Sequence, residues 1–235
     1  MAVELNLLIS LLKLTKDGSV LIEDAKRDAR LPSEVMENLL GKLQSQGIVY
    51  LKSNFVEVGT CGRLSLAVKA ISLGGDVERV SGLLCWQEFE EIAAAVLRRN
   101  GYIVVKNLRF KHEGKRWEID VVGCRKPLVV CIDCKHYHHG IPPSVMQRIV
   151  EAQRQRAKAL ANALPNIKIK LFCVLWDRAK FVPAVLSLLP TRSKFYADVP
   201  IVPVLQLQDF ISQLPIEISS LTYFPKTFSH LRKDS

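Results

Sequence analysis

The sequence lacks any long apolar run. None of the hydrophobic stretches in its 235 residues reaches the roughly 18 residues that a membrane-spanning helix needs. The opening segment MAVELNLLISLLKL is apolar, but Glu4 interrupts it and no basic region precedes it, so it does not have the form of a secretion signal. Six cysteines without such a signal favour a reducing compartment, where thiols stay free. We therefore expect a soluble, cytoplasmic protein with no membrane partner.

Internal repeats, low-complexity segments and a Walker-type loop are also missing from the sequence. Because that glycine-rich loop is the common cradle for ATP phosphates, its absence predicts no nucleotide cofactor. Hydrophobic residues make up 49% of the chain and charged residues 24%, close to the composition of globular proteins. The sequence therefore predicts folded domains and not a disordered chain.

The formal net charge of the chain is +10, and this excess of basic over acidic residues is concentrated in the C-terminal part. Residues 1–58 contain seven Lys and Arg against eight Asp and Glu, whereas residues 86–235 contain 23 against 13. A polyanionic partner would therefore bind the C-terminal part. Lysines that only keep the protein soluble are the alternative explanation of the same charge.

Residues 1–58 show three helical patterns followed by two short strand-like runs. The helices are predicted at Leu5–Leu14, Leu21–Ala29 and Pro32–Gly47, and the strands at Ile48–Leu51 and Phe55–Val58. This order resembles the winged helix-turn-helix domains common in prokaryotic proteins, which implies DNA binding. The sequence thus predicts a mostly α winged-helix domain at the N-terminus.

The third of these helices has unusual chemistry for a helix that reads DNA. It would expose acidic and amide side chains and a single cation: Glu34, Glu37, Asn38, Gln44 and Lys42. A helix that enters a DNA groove usually carries Arg or Lys to contact the phosphates. Dimerisation or protein docking is therefore an alternative role for this domain.

Residues 59–85 are predicted to form a helical connector, with helices at Leu64–Leu73 and Val77–Leu84, before a domain that fills residues 86–235. That domain opens with the amphipathic helix that begins at Trp86. Three strands, a long helix and a strand are predicted next, at Tyr102–Phe110, Arg116–Gly123, Leu128–Lys135, Pro143–Ala163 and 167–176. A helix over 177–189, a strand over 199–205 and a last helix over 206–214 complete the chain. We expect an α/β fold with an αβββαβ core, that is, a mixed sheet flanked by helices.

The stretch CIDCKHYHH at residues 131–139 carries the most conspicuous chemistry of the chain. Side chains alternate along a strand, so Cys131 shares a face with Asp133 while Cys134 points to the other face. Two thiols that point apart make a poor zinc chelate and a poor disulfide. We therefore predict that most of the cysteines are buried packing groups.

Asp133 and Lys135 are charges at the end of an apolar strand, where they need partners. On the preceding strand Glu118 and Asp120 are predicted to share one face, with Ile119 and Val121 on the other. If the two strands form a hairpin, Asp120 approaches Asp133. Two such carboxylates repel unless a proton or cation lies between them, and hard oxygen ligands suit Mg²⁺. The lysine can then position a water or stabilise charge that develops on a phosphate.

This arrangement resembles the PD-(D/E)xK nuclease superfamily. Asp120 is followed after twelve residues by Asp133-Cys134-Lys135, and the predicted αβββαβ order is the one that this superfamily uses. The strings FEEIAAAVLRRNGY, EIDVV and CIDCKH look most like the restriction-endonuclease-like Mrr group and the archaeal Holliday-junction resolvases, over residues 86–176. The proline that gives the superfamily its name is absent, because Ile119 stands before Asp120. The carboxylate itself is kept.

The resemblance implies a role for each matching residue. Asp120 would be the central metal ligand, Asp133 the second carboxylate and Lys135 the catalytic lysine. Further ligands would be the backbone carbonyl of Cys134 and the first-helix acid Glu90, for which Glu91 is the alternative. The metal would be Mg²⁺, which Mn²⁺ can replace, and an in-line attack of water on DNA would leave a 5′-phosphate.

Other residues are predicted around this centre. Gln153 resembles the helix glutamine that some subgroups add to the site, and Glu118 is a possible accessory acid. Contacts to the DNA backbone are expected from basic residues on the strand and the long helix and from one histidine: Lys115, Arg116, Arg148, Arg154 and His136. His138 and His139 follow in the same segment, and exposure to solvent is the alternative for all three histidines.

The residues leave alternative interpretations open. Asp120 and Asp133 could form a purely structural ion cluster with Lys135 or Arg116, and Glu90 could be an ordinary helix residue. The whole protein could be a non-catalytic DNA-binding protein that keeps the fold, or a winged-helix transcription regulator. For the nuclease, we expect duplex or branched DNA as the partner and a homodimer as the assembly, since two strands must be cut.

Overall fold

A computed structural model describes the chain at residues 2–76, 79–80, 82–135, 142–167, 169, 171–187, 190–191 and 193–228. The contacts between Cα atoms divide the chain into two compact units, Met1–Ile92 and Ala93–Ser235. Within the described ranges, every helix is too short or too polar to cross a lipid bilayer.

The first unit contains the three helices and the hairpin that the sequence predicts for residues 1–58, together with one further short strand and a fourth helix. Its elements are α1 (Ala2–Leu14), β1 (Val20–Leu21), α2 (Ile22–Ala29), α3 (Ser33–Ser45), β2 (Tyr50–Lys52), β3 (Phe55–Glu57) and α4 (Thr60–Ser72). The strands form an antiparallel sheet in the order β1-β3-β2. Strand β1 was not predicted, because a pair of residues is too short to show an alternating pattern.

The core of the first unit is built on the apolar stripe of α1, whose residues Leu8 and Leu12 are fully buried. Leu40 of α3 and Leu66 of α4 belong to the same cluster. Residues of the predicted connector 59–85 thus contribute to this core. The predicted domain boundaries themselves remain a prediction. The predicted connector helix from Val77 to Leu84 includes residues 77, 78 and 81, which lie outside the described part of the chain.

A buried ion pair joins α4 to the start of α5 (Trp86–Arg99). Arg63 pairs with Glu88, and only 4% and 8% of their side chains are exposed. The guanidinium also donates hydrogen bonds to the carbonyl of Leu12 at 2.7 Å and to Thr15 Oγ1 at 2.9 Å. Glu88 in turn accepts a hydrogen bond from the Cys85 N–H at 2.5 Å, which satisfies a donor at the helix N-terminus.

The second unit is a mixed sheet with helices. Following α5, its elements are β4 (Ile103–His112), β5 (Lys115–Arg125), β6 (Leu128–Lys135), α6 (Pro143–Ala163), β7 (Arg178–Ser187), β8 (Phe195–Tyr196), β9 (Val199–Pro203), α7 (Leu207–Glu217) and β10 (Phe224–Thr227). The sheet order is β4-β5-β6-β7-β9-β8, and β10 pairs with β7. The first three strands are antiparallel, while β6, β7 and β9 run parallel. The predicted order αβββαβ is therefore present from α5 to β7.

The strand that follows α6 lies later in the sequence than predicted. A helix was predicted over 177–189, but β7 fills this segment, and Phe172–Leu175 in the predicted strand forms a 3-10 helix. Pro183 opposes a helix because its ring removes an N–H donor and clashes with the preceding turn. In β7 it falls between Phe181, where pairing with β10 ends, and Val185, where pairing with β9 begins. A proline fits a sheet at such a gap in the ladder.

Candidate active site

Two aspartates meet where the β5–β6 ladder ends. Val121 lies opposite Ile132 as the last pair of that ladder, and Asp120 and Asp133 are the next residues on the two strands. The backbone N–H of Cys134 donates a hydrogen bond of 2.7 Å to Asp120 Oδ2. The hairpin predicted from the sequence therefore brings Asp120 to the end of β6.

Asp133 is buried between two cations. Only 3% of its side chain is exposed, and Lys135 Nζ lies 2.9 Å from its Oδ2. On the other oxygen, Arg156 Nη1 of α6 lies 3.1 Å from Asp133 Oδ1. The ion pair with Lys135, which the sequence left open as a purely structural alternative, is thus present. The second cation, Arg156, was not predicted as a partner of Asp133, although it lies on the helix face of Gln153 three residues earlier.

The pKa of Asp120 reflects this crowded position. Burial of the carboxyl group raises its pKa above the usual value, and the negative charge of Asp133 raises it further. The Cys134 N–H, Lys135 and Arg156 act in the opposite direction and do not cancel the rise. Asp120 is therefore a carboxylate whose charge is costly without a nearby cation.

The strand that carries Asp120 does not alternate regularly. Ile119 and Val122 both pack into the core cluster that Leu160 of α6 also joins. Residues three apart point to opposite faces in a regular strand, so the side-chain pattern must change between these two positions. The prediction that Val121 shares a face with Ile119 is therefore wrong, while Glu118, Ile119 and Asp120 keep the predicted alternation of exposed and buried positions.

The neighbouring strand β4 has an irregular backbone at the same level of the sheet. Asn107 has a φ of 52°, a left-handed conformation in the middle of a ten-residue strand. The ladder pairs Lys106 with Val121 and Leu108 with Ile119, so Asn107 faces Asp120 across it. Asparagine adopts this conformation more readily than most residues. The local turn of the backbone therefore lies directly beside Asp120.

Gln153 of α6 contacts strand β6, which carries Asp133. It is fully buried, and its Nε2 donates a hydrogen bond of 2.7 Å to the carbonyl of Cys131. Within the described part of the chain, its Oε1 is a buried oxygen without a hydrogen-bond partner. An unpaired buried amide oxygen is costly, and it is a ligand type that hard cations accept.

The donors at this site are of the type that a hard divalent cation accepts. Among the described residues, no group of three or more His, Cys, Asp and Glu side chains is placed to hold a metal. Asp120 and Asp133 supply two carboxylates, and Mg²⁺ is commonly bound by one or two carboxylates with substrate phosphates and waters completing the shell. The two aspartates thus fit Mg²⁺ better than zinc.

A small cavity opens beside these aspartates. It has a volume of about 350 Å³, and three cations line it: Lys135, Arg148 and Arg156. Two of them also contact Asp133. The cavity can therefore hold an anion next to the carboxylate pair.

The remaining predicted residues are distributed over the second unit. Arg154 is exposed and lies 3.4 Å from Glu151, and Glu118 lies 3.0 Å from Arg109 across the β4–β5 ladder. Lys115 and Arg116 are exposed at the hairpin end of β5. His136, His138 and His139 lie outside the described residues.

The first-helix acids lie in the first unit. Glu90 is buried and Glu91 is half-buried on α5, within Met1–Ile92. Their predicted role as metal ligands stays a prediction, as does that of the Cys134 carbonyl.

The cysteines are free thiols, as the alternation of β6 indicates. Cys124, Cys131 and Cys173 are buried in one apolar cluster. Burial raises the pKa of the Cys131 thiol, which keeps it protonated and unreactive. Burial is therefore confirmed for three of the six cysteines, whereas Cys85 and Cys134 are half-buried and Cys61 is exposed, so the prediction does not extend to most of them.

Comparison with known proteins relates part of the chain to nuclease-related domains. Residues 86–176 match the model of the NERD family, described as a nuclease-related domain. These are the residues over which the sequence resembles a nuclease, and the match supports a nuclease-like fold and a nuclease-related function.

Two further similarities were found. Over 130 residues the chain is 29% identical to an uncharacterized protein of Archaeoglobus fulgidus, covering 55% of this chain and 91% of that protein. The crystal structure of protein VC1899 from Vibrio cholerae matches with a TM-score of 0.40 and 14% identity, covering 93% of this chain. The chain spans about half the length of that protein, 53%.

Proposed function

We propose that this protein is a metal-dependent nuclease that hydrolyses DNA phosphodiester bonds through a site of the PD-(D/E)xK type. The observation that carries the proposal is the position of Asp120 and Asp133 at the end of one hairpin, with Lys135 on Asp133. The match to a nuclease-related domain over the same residues supports it. In this proposal α5 to β7 form a restriction-endonuclease-like core.

The cations beside Asp133 have two roles in the proposed reaction. Without substrate, Lys135 and Arg156 neutralise the buried carboxylate. With substrate, they and Arg148 line the cavity that would receive the phosphate. Lys135 would then stabilise the charge that develops on the phosphate oxygens. In this proposal, the presence of two cations beside one buried aspartate follows from their two roles, as partners of Asp133 and as contacts to the phosphate.

Asp120 and Asp133 would hold the divalent cation, Mg²⁺ or in its place Mn²⁺. Once bound, such a cation polarises a phosphate oxygen and lowers the pKa of a coordinated water. The raised pKa of Asp120 supports this assignment, because a cation would relieve the repulsion between the two carboxylates. Glu90 and the Cys134 carbonyl remain proposed additional ligands.

The first unit fits a winged helix in its order of helices and strands. Its helix α3 exposes Glu34, Glu37 and one cation, Lys42. We assign the affinity for DNA to the second unit, and dimerisation or docking to the first. A homodimer would supply the two sites that cutting two strands requires.

The experiment is a cleavage assay with the full chain. Branched, linear duplex and single-stranded DNA are each incubated with Mg²⁺, with Mn²⁺ or with EDTA. We expect cleavage with either metal and none with EDTA. Lys135→Ala should lower the rate at least a hundredfold, because the charge that develops on the phosphate would lose a cation in a partly buried site.

The matched control is Lys126→Ala, which removes an exposed lysine that lies 3.6 Å from Asp177. This variant should cleave like the wild type. Equal activity of Lys135→Ala and Lys126→Ala would overturn the assignment of the site. If the wild type cleaves none of the DNA substrates, the proposal that the protein is a nuclease is overturned.

A non-catalytic DNA-binding protein is the second candidate function. The observation that favours it is the ion cluster on Asp133, whose negative charge is paired with Lys135 and Arg156 without any metal. This function predicts DNA binding that Mg²⁺ does not change. A transcription regulator would in addition lose affinity when Lys42 of α3 is replaced by alanine, whereas the nuclease would keep it.

A further inference from the structure

A second cavity of the same unit lies at the hairpin end of β4 and β5. Its volume is about 810 Å³, within the range of sites that bind small ligands. Its apolar lining comes from Phe110, Trp117, Ile167 and Ile169. None of these residues belongs to the carboxylate site or to the small cavity beside it.

The rim of this groove carries an unusual concentration of positive charge. Lys111 lies directly opposite Arg116 in the β4–β5 ladder, on the face of the hairpin opposite to Phe110 and Trp117, and both contribute to the edge of the groove. Like charges directly opposite each other destabilise a sheet, and both residues are exposed. The only acid among the lining residues, Glu118, lies 3.0 Å from Arg109. The pair Lys111 and Arg116 therefore favours an anion from outside the chain.

The hairpin holds these groups in a defined geometry. Glu113 and Gly114 have φ values of 50° and 74°, and this two-residue turn matches the twist of an antiparallel pair. Lys115 Nζ lies 4.0 Å from the ring centroid of Trp117, and Trp117 Nε1 donates a hydrogen bond of 3.4 Å to the His112 carbonyl. Two contacts thus fix the indole at the groove.

We propose that this groove binds unpaired nucleotides of single-stranded DNA, with bases against Trp117 and the isoleucines and phosphates on Lys111 and Arg116. An apolar and aromatic lining beside a row of cations is the combination that sequence-tolerant single-strand sites use. In a duplex the base faces are stacked, so they cannot enter such a lining. The inference rests on the proposed function for the class of ligand, and it adds that the DNA has a single-stranded part beside the cut.

The position of the groove suits this role. The helix α6 carries Arg156 of the carboxylate site, and it ends at Ala163, three residues before Asn166 of the groove. The seven residues from Arg156 to Ala163 span about 10 Å of helix axis. A few extended nucleotides can cover such a distance. DNA with a flap, a tail or a splayed junction would then contact both places.

The experiment measures binding of the full chain in EDTA, so that cleavage does not interfere. The probes are a short labelled oligothymidylate and a duplex of the same length. The test variant Lys111→Ala/Arg116→Ala removes two exposed cations. The matched control Lys126→Ala/Arg178→Ala removes two cations that line another groove of this unit.

We expect the test variant to bind the oligothymidylate more weakly. The slope of log K against log salt should become less steep by about 1.4, because each phosphate contact to a single strand contributes roughly 0.7. The control variant should keep the wild-type slope. Trp117→Phe should bind nearly as well, but it should lose the quenching of tryptophan emission that the oligothymidylate causes.

The outcomes separate this inference from the proposed function. If the wild type cleaves DNA while the test and control variants bind the single strand equally, the groove is not the site and the nuclease stands. If the wild type binds the duplex as tightly as the single strand, the preference for unpaired nucleotides is overturned. If poly-glutamate displaces the oligothymidylate and quenches Trp117 itself, the groove is a surface for acidic peptides. Failure of both cleavage and binding would overturn both proposals.

Discussion

Arg156 Nη1 lies 3.1 Å from Asp133 Oδ1, so a helix side chain reaches a strand carboxylate that is only 3% exposed. A charge buried to this extent is costly unless it is paired and hydrogen-bonded. The contact therefore joins α6 to β6 through the centre of the candidate site. Stability and activity should both respond to a change at position 156.

We predict that Arg156→Gln lowers the free energy of unfolding by about 1–3 kcal/mol, because Asp133 loses a charged hydrogen-bond donor while Lys135 remains. Urea unfolding at neutral pH measures this loss. Arg156→Lys should recover part of it. Arg154→Gln is the control, since Arg154 is exposed on the same helix. Equal stability of the two glutamine variants would contradict the prediction.

Asp120→Asn should stabilise the protein at neutral pH, while it abolishes cleavage. Asparagine keeps an oxygen that can accept the Cys134 N–H bond, and it removes the repulsion from Asp133. A gain in stability with a loss of activity would mark Asp120 as a functional group. The exposed Asp177→Asn should change neither quantity.

The pH dependence gives a second measurement on the same pair of proteins. The folded state raises the pKa of Asp120 above 3.8, so the folded protein holds this proton more tightly than the unfolded chain. This contribution to stability is complete below pH 3.8 and is lost as the pH rises through the folded pKa. Wild type and Asp120→Asn should therefore differ least at low pH. A difference that grows towards low pH would contradict the raised pKa.

Asn107→Val should destabilise the second unit by about 1–2 kcal/mol, because a β-branched residue is strained at the φ of 52°. Asn107→Gly should be nearly neutral. At the adjacent position the order reverses, since Lys106 lies in the regular ladder, where glycine costs more than valine. Thermal unfolding of the four variants tests this crossed pattern. Valine tolerated at both positions would show that the left-handed conformation is not retained in solution.

In the first unit, Arg63→Met should lower the free energy of unfolding by about 3–5 kcal/mol, because it leaves Glu88 buried without its partner. Lys13→Ala breaks the exposed pair with Asp28 and should leave stability nearly unchanged. Denaturant unfolding of both variants gives the comparison. A small effect at Arg63 would mean that water reaches Glu88 in the variant.

The elements that repeat a regular pattern could be predicted from the sequence. The helix α6 and the strand β6 have the predicted bounds, Pro143–Ala163 and Leu128–Lys135. Proline at the first helical position and a continuous apolar run before Asp133 are strong local signals. The meeting of Asp120 with the end of β6 followed from hairpin pairing alone.

Features that depend on distant partners could not be predicted. The strand β7 is buried on both faces, so its apolar residues show no period that separates it from a helix. In the sequence Arg156 is one of several basic residues on α6, and nothing local marks it as the one that reaches Asp133. The left-handed conformation of Asn107 could not be predicted, because asparagine also occurs in ordinary strands and its φ is known only from the structure.

The hydrogen bond from the Cys134 N–H to Asp120 has a consequence for how such sites vary between proteins. The bond uses a main-chain atom that every residue except proline carries. The middle residue of the Asp-x-Lys triplet therefore takes part in the site through its main-chain N–H, and its side chain does not take part in this hydrogen bond. Proline is the one substitution there that the bond itself forbids, a constraint that comparing side chains would not reveal.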